Sequence, residues 1–342
     1  MKIAVDVMSG ERGPEELIKG ALEAAAVYNI NIVLVGDKNI INYILQRHTY
    51  NKDLIEIVHA SEVITMKEQP TAAIKKKPDA SVLVSARLVK DGLADAFVSP
   101  GNTGATFAAA FMNLGRVKGI SRPAILTPAP TRTLGQYTAV LDVGANPECK
   151  PINLVQFAVM GAAYAHTVWG LENPKVGLLS NGEEDSKGTE LTQKANSILK
   201  KLPLNYVGYI EGRDIFNNKV DVAVCDGFVG NLVLKTIEGA GLALYNILKD
   251  GIKSSFWAKM GALMMLPVFK RLKKVMDYAE YGGAPLLGIN GITIVTHGSS
   301  SAREILNGIR VAHELVRTNV NDIIMNKLKE YGVNKFNWFK WE

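Results

Sequence analysis

Ala94-Asp-Ala-Phe-Val98 runs straight into Ser99-Pro-Gly-Asn-Thr-Gly104, and Ala105-Thr-Phe-Ala-Ala-Ala-Phe-Met-Asn-Leu114 follows at once. An apolar, strand-like run passes through a short turn into a helix-like run, which is the repeating unit of α/β proteins. A turn of this kind leaves several backbone N–H groups unpaired at the start of the helix. Two glycines allow close approach, and the helix dipole favours negative charge, so Gly101, Asn102, Thr103 and Gly104 resemble an anion cradle. The competing reading is a plain N-capped helix, with Asn102 or Thr103 as the cap. No GxGxxG follows the first strand and no GxxxxGK[ST] is present. A bare phosphate therefore suits the turn better than a dinucleotide.

The same alternation extends outward in both directions. Lys2–Val7, Asn31–Gly36, Leu54–His59, Ala94–Ser99, Thr138–Val143, Lys175–Leu179, Leu204–Ile210, Asp221–Cys225 and Gly291–Thr296 are short runs rich in Val, Ile and Leu. Several are near-continuously apolar, as strands covered on both faces must be. Pro14–Val27, Ile152–Val168, Thr189–Leu199, Gly230–Leu248 and Ser299–Leu328 carry helical periodicity between them. The pattern predicts a largely parallel, doubly wound sheet. No linker divides residues 1–342, which read as one continuous α/β unit in one lobe or two.

Composition narrows the class. The 342 residues are 47% apolar and 21% charged, ordinary globular values. Cys149 and Cys225 fit no disulfide framework or zinc spacing, and the histidines form no metal pattern. The first residues do not read as a secretory leader. The strongest apolar run, Ala262–Phe269, is broken by Pro267 and falls short of a spanning helix.

The net charge of +6 is local. Lys249, Lys253, Lys259, Lys270, Arg271, Lys273 and Lys274 stand against Asp250 alone, and the rest of the chain balances. These residues, 249–274, lie inside the segment 246–277 where strand signals stop. Leu248, Ile252, Phe256, Met260 and Leu263 form one helical apolar stripe, and Phe269, Leu272 and Val275 a second beyond Pro267. An amphipathic basic helical pair has three readings here: a membrane-docking element, a surface for an acidic partner, or a buried dimer interface with a solvated rim. The membrane reading is favoured, through Phe256, Trp257, Met260, Leu263, Lys270, Arg271, Lys273 and Lys274. The aromatic tail Phe336–Trp341 is either a dimer contact or a second membrane contact.

Ligands of open α/β sheets bind beyond the carboxyl ends of the strands. Six such ends carry polar and glycine-rich loops: Asp6–Gly10, Ser99–Gly104, Asp142–Asn146, Ser180–Gly188, Asp226–Asn231 and His297–Ser300. They nominate Lys187, His297, Asn231 and Asp226 for chemistry. Gly101, Asn102, Thr103, Gly104, Asp6, Asn146, Asn181 and Lys235 are nominated for holding phosphate and substrate. Each nomination has a plainer counterpart. Lys187 is a phosphate ligand or a solvated charge, and His297 is an acid or donor or a structural histidine. Cys225 is a nucleophile or, preferably, a small buried strand residue.

Together, Ile3-Ala-Val-Asp6, Gly101-Asn-Thr-Gly-Ala105, Leu141-Asp-Val-Gly-Ala-Asn146, Asn181-Gly-Glu183 with Lys187-Gly188, Asp226-Gly-Phe228 with Gly230-Asn231, Tyr281-Gly-Gly-Ala284 and His297-Gly-Ser-Ser300 resemble the PlsX-type phosphate acyltransferases of bacterial phospholipid synthesis. Two positions depart from that family's usual pattern: Met8-Ser-Gly-Glu11 stands where Met-Gly-Gly-Asp is usual, and Pro100 where alanine is. The resemblance implies a Rossmann-like α/β/α sandwich related in shape to phosphotransacetylases and to isocitrate and isopropylmalate dehydrogenases. It implies transfer of an acyl group from acyl-acyl carrier protein to inorganic phosphate, without a cofactor, feeding a glycerol-3-phosphate acyltransferase. It also implies a homodimer in the cytoplasm, docked peripherally on the inner face of the cell membrane, with no nucleic-acid partner. The alternatives are phosphotransacetylase-like transfer from acyl-coenzyme A and a non-catalytic membrane adaptor. The expected arrangement places phosphate on the Gly101–Gly104 turn with Lys187 or Lys235 nearby.

Overall fold

In the computed structural model, which describes residues 1–269, 282–338 and 341, eleven strands share one sheet. They are β1 (Lys2–Asp6), β2 (Asn31–Gly36), β3 (Ile55–His59), β4 (Ala96–Ser99), β5 (Ala124–Pro130), β6 (Tyr137–Leu141), β7 (Val176–Leu179), β8 (Tyr206–Ile210), β9 (Val222–Val224), β10 (Ala284–Leu287) and β11 (Ile292–Val295). The order across the sheet is β3-β2-β1-β4-β11-β10-β5-β6-β9-β7-β8. Successive strand residues point to opposite faces. Ile3 and Val5 enter one core with Ala96, Val98, Val222 and Val224, while Ala4, Phe97 and Ala223 enter the other. Helices α1 (Pro14–Tyr28), α6 (Pro151–Trp169) and α10 (Ala302–Arg317) contribute to the first core. Helices α4 (Ser81–Lys90) and α5 (Thr103–Leu114) contribute to the second. The result is the expected α/β/α sandwich, and burial on both sides accounts for the continuous apolar runs.

The polarity of the strands is less simple than expected. β3, β2, β1, β4 and β11 run parallel, as do β6, β9, β7 and β8. Between these groups, β11–β10, β10–β5 and β5–β6 all pair antiparallel. Three reversals turn the second group against the first. The two strands responsible, β5 and β10, are the two that the apolar pattern does not reveal. β5 contains Pro128 and Pro130, which ordinarily argue against an interior strand. They are accommodated because β10 pairs only with Ala124 and Ile125. On the β6 side, Thr131 N donates to Gln136 O and Val143 N to Ile125 O, so the even-numbered positions of β5 need no N–H.

Two helical expectations also change. Residues 299–328 form two helices, α10 and α11 (Val320–Glu330), split at Asn319, whose φ of 49° is left-handed. The segment from residue 246 is not a separate insertion at its start. It continues α8 (Gly227–Lys253), which begins at the end of β9, and is followed by α9 (Phe256–Met264). α8 buries only Gly227 and Gly230. Leu242, Tyr245, Ile247, Phe256, Trp257, Met260, Leu263 and Met264 are exposed, Trp257 at 80%. Lys270, Arg271, Lys273 and Lys274 lie outside the described residues. At the other end of the chain, Trp338 and Trp341 pack on the main core, and Trp341 Nε1 donates to Gly332 O at 3.2 Å. That part of the tail is an internal contact rather than a free aromatic projection.

Candidate active site at a sheet edge

β1, β4 and β11 are neighbours, with Val5 opposite Val98 and Val295 opposite Ser99. Their carboxyl ends therefore bring Asp6, the Ser99–Gly104 turn and His297 to one edge. Asp6 is fully buried. Its Oδ2 accepts from Ser99 Oγ at 2.8 Å, and its Oδ1 from the amides of Met8 and Ser9 at 3.2 and 3.3 Å. Ser99 Oγ accepts from Gly101 N at 3.2 Å. The carboxylate thus holds the turn through a serine and has no direct path to a ligand. Gly101 is required by close approach: a Cβ there would sit 2.9 Å from that of Ser9.

Asn102 resolves the choice of cap. Its Oδ1 accepts from Ala105 N at 3.1 Å, and its Nδ2 donates to Met66 O at 3.1 Å. Thr103 and Gly104 open α5 and are exposed. Their amides belong to the first helical turn, which has no intrahelical acceptor, and they meet none among the described residues. The turn is a capped helix whose first amides remain open to an anion.

His297 is exposed across from this turn. Thr296 N donates to Ser99 O at 3.0 Å, which ties the two loops together. His297 Nδ1 lies 3.2 Å from Ser299 N and 2.8 Å from Ser299 Oγ. An amide N–H can only donate, so Nδ1 is an acceptor and the neutral ring carries its proton on Nε2. That leaves an Nε2–H donor beside the open amides. A segment running from residue 61 to 80, which includes α3 (Pro70–Lys76), covers the edge. Pro70 lies against Gly104, and Met66 against Gly298. Lys77 Nζ bridges Val63 O and Glu68 there, and its ammonium with the Thr65 amide holds the Glu68 carboxyl down at about 2.

Apart from Lys235, which lies within α8, the remaining nominated residues follow β6, β9 and β7, whose carboxyl ends strand reversal puts on the opposite edge. Asp142 is fully buried. It accepts from the amides of Ile125, Gly144, Ala145 and Asn146 and from Asn146 Nδ2. Burial pushes its pKa up, and these five donors pull in the other direction. Asn146 Nδ2 also donates to Pro123 O at 2.7 Å, which makes it a strut. Asp226 Oδ1 caps α8 through Val229 N at 2.9 Å. Asn181 Oδ1 closes its own loop by accepting from Gly188 N at 2.9 Å. Asn231 is exposed, with its side chain against Gly144. Lys187 is exposed without an acidic partner among the described residues, while Lys235 Nζ pairs with Glu238 at 2.8 Å. Lys187 follows β7, which lies six positions from β4 and runs the other way, so within one chain it is not at the Gly101 edge. Lys235 lies two turns into α8, next to Leu234, which faces Thr127–Pro130 of β5 across a crevice. Cys225 is buried, and burial, then Asp142 and Asp226, push its thiol well above the ordinary range. It is not a thiolate nucleophile.

Ser9, Ser99 and Ser299 are the residues that sequence reasoning did not single out. Ser299 was legible beside His297; Ser9 becomes visible only when β1 and β4 pair. A further feature is an apolar crevice lined by Thr127, Pro128, Pro130, Val140, Val143, Val233, Leu234 and Ile237, between β5, β6 and α8.

Residues 1–323 match the family model described as fatty acid synthesis protein. The chain is 51% identical over 333 residues to a phosphate acyltransferase of Pelotomaculum thermopropionicum, covering 97% of this chain and 96% of that one. It is also 51% identical over 329 residues to a phosphate acyltransferase of Geobacter sulfurreducens, covering 96% and 94%. Among solved structures, a phosphotransacetylase from Streptococcus pyogenes superposes with a TM-score of 0.61 at 16% identity, over 96% of this chain and 94% of that chain. A branched-chain phosphotransacylase from Enterococcus faecalis gives 0.57 at 15% identity, over 93% and 99%. A putative 4-hydroxythreonine-4-phosphate dehydrogenase from Salmonella typhimurium gives 0.53 at 12%, over 92% and 99%. These structural likenesses concern the fold. Among the described residues, no helix is long and apolar enough to cross a membrane, and no group of His, Cys, Asp and Glu is placed to hold a metal ion.

Proposed function

The chain belongs to the fatty acid synthesis protein family and is a phosphate acyltransferase, and from that premise we propose that it transfers an acyl group from acyl-acyl carrier protein to inorganic phosphate. The products are acyl phosphate, for a downstream glycerol-3-phosphate acyltransferase, and free carrier protein. The observation that carries the site is the pair of open amides at Thr103 and Gly104, beside the Nε2–H of His297.

Phosphate, with a second pKa near about 6, is substantially dianionic at neutral pH and needs no strong base. Its oxygen attacks the thioester carbon, the carbonyl oxygen becomes an oxyanion, and the carbon–sulfur bond then breaks. The departing thiolate takes a proton from solvent, its acid having a pKa of about 8.5. Enzyme assistance consists of holding phosphate next to the carbonyl and giving the oxyanion fixed donors. In this reading the α5 amides hold phosphate and His297 donates to the oxyanion. Asp6 positions the turn through Ser99. Transfer is direct, because Cys225 is buried and protonated. The exposed apolar residues of α8 pair with a second copy. Phe256, Trp257, Met260 and Leu263, with Lys270, Arg271, Lys273 and Lys274, dock the dimer on an anionic membrane surface at the cytoplasmic side.

The test is thiol release from palmitoyl-acyl carrier protein with and without phosphate, repeated with palmitoyl-coenzyme A. Phosphate-dependent release and a hydroxylamine-trappable product with the carrier protein are expected. Efficient turnover of the coenzyme A thioester alone would replace the donor, and release without phosphate would overturn the acceptor.

A further inference from the structure

The cover over the candidate site has an unbalanced charge. Within residues 61–80 the acids are engaged internally: Glu68 with Lys77 and Thr65, Asp79 with Ser61 and Arg87, and Glu62 with the Asp79 amide. Lys77 apart, the lysines are not. Lys67, Lys75 and Lys76 are exposed and have no acidic partner among the described residues. Arg12 adds a fourth exposed cation, next to Glu11, whose amide donates to Gly298 O at 2.7 Å. Glu11 is itself exposed, with its carboxyl carbon close to Gly298. The same segment touches both arms of the site, through Pro70 on Gly104, Met66 on Gly298, and the Asn102–Met66 hydrogen bond. The exposed lysines are therefore carried by the segment that covers the site rather than by a remote face.

A small thioester needs no such concentration of positive charge. A thioester borne on a long flexible arm from an acidic protein does, because the protein must rest outside while its arm enters. Complementary charge steers such an encounter and sets its orientation. We infer that Lys67, Lys75 and Lys76, with Arg12, form the docking surface for the acidic carrier protein, placed so that its acyl arm enters beside Gly104 and His297. This rests on the acyl donor and site given above.

The test is the triple variant Lys67→Glu/Lys75→Glu/Lys76→Glu, assayed with acyl-carrier protein and with the acyl thioester of pantetheine, which is small and uncharged. At low salt, kcat/KM for the carrier-borne donor is expected to fall about tenfold or more, while that for the pantetheine thioester stays unchanged. Added salt should erode the wild-type preference for the carrier. Fluorescence anisotropy of labelled carrier protein should show the same loss of binding, independently of turnover. Equal kinetics with the carrier in variant and wild type, or an equal fall with both donors, overturns the docking surface. So does loss of binding to anionic vesicles with carrier kinetics intact, which would make the patch lipid-facing. If the wild type turns over the pantetheine thioester but not the carrier-borne one, the donor assignment itself fails. That result is distinct because it appears before any lysine is changed.

Discussion

The two edges of the sheet are built from similar sequence and used differently. At the edge formed by β1, β4 and β11, a buried carboxylate, Asp6, grips a serine, and helix α5 opens with two exposed amides beside a histidine donor. At the edge formed by β6, β9 and β7, a buried carboxylate, Asp142, consumes five donors. Asp226 is spent on a cap, Asn146 on a strut and Asn181 on its own loop. The first edge leaves hydrogen-bonding capacity open to solvent, and the second satisfies most of its own. A polar loop at a strand end is thus no guide to function until its donors and acceptors have been followed to their partners.

The sharpest way to break this contrast is to overfill the second edge. A methyl group at Gly230 would overlap the Asp142 carbonyl, which is backbone and has no room to move. Gly230→Ala is expected to destabilise by about 3 kcal/mol, read as a lower midpoint in urea denaturation. A well-folded Gly230→Ala protein would show that α8 can shift away from β6.

The opposite profile is expected at the first edge. His297→Ala should lower kcat about a hundredfold, as loss of one oxyanion donor does, with the urea midpoint unchanged. His297→Gln, which keeps an N–H donor, should recover part of the rate. Lys187→Ala should change kcat by less than about threefold. A hundredfold loss there instead would mean that the second edge of a partner copy completes the site.

Cys225→Ala tests direct transfer. Turnover should persist, and the small cavity should lower stability by about 1 kcal/mol, measured in the same denaturation series. Abolished turnover in a folded protein would restore the thiol as a nucleophile.

The smallest effect concerns pH. Glu68 is held at about 2 in the folded chain, against 4.5 for the unperturbed group. Its contribution is therefore complete above pH 4.5 and is lost as pH falls through about 2. Amide exchange in residues 61–80 should accelerate across that window, and added salt should shrink the difference because the pair is partly exposed. Unchanged exchange down to pH 2 would show that Lys77 holds the cover through the Val63 carbonyl alone.

Much of the fold was legible because its causes are local. Runs such as Ile3–Val5 and Val222–Val224 are apolar at every position, which only two-sided burial explains. The Gly101–Gly104 turn was recognisable as a helix start with free amides, and His297 as a strand-end residue. What escaped was the pair β5 and β10. Ala124–Pro130 carries prolines, and Ala284–Leu287 is four residues long. Missing them made six strand-end loops appear to converge, and Lys187 appear to be a neighbour of Gly101. A residue's chemistry and local conformation are written in its own stretch of chain, and so the sequence by itself determined the α/β class, the open amides at the first edge and the family. Which loops share an edge depends on strand order and direction, which turn on pairings such as β11 with β4 and β10 with β5, between residues more than a hundred positions apart. The paired sheet settles that, and it separates the expected site into two edges whose polar groups are differently engaged.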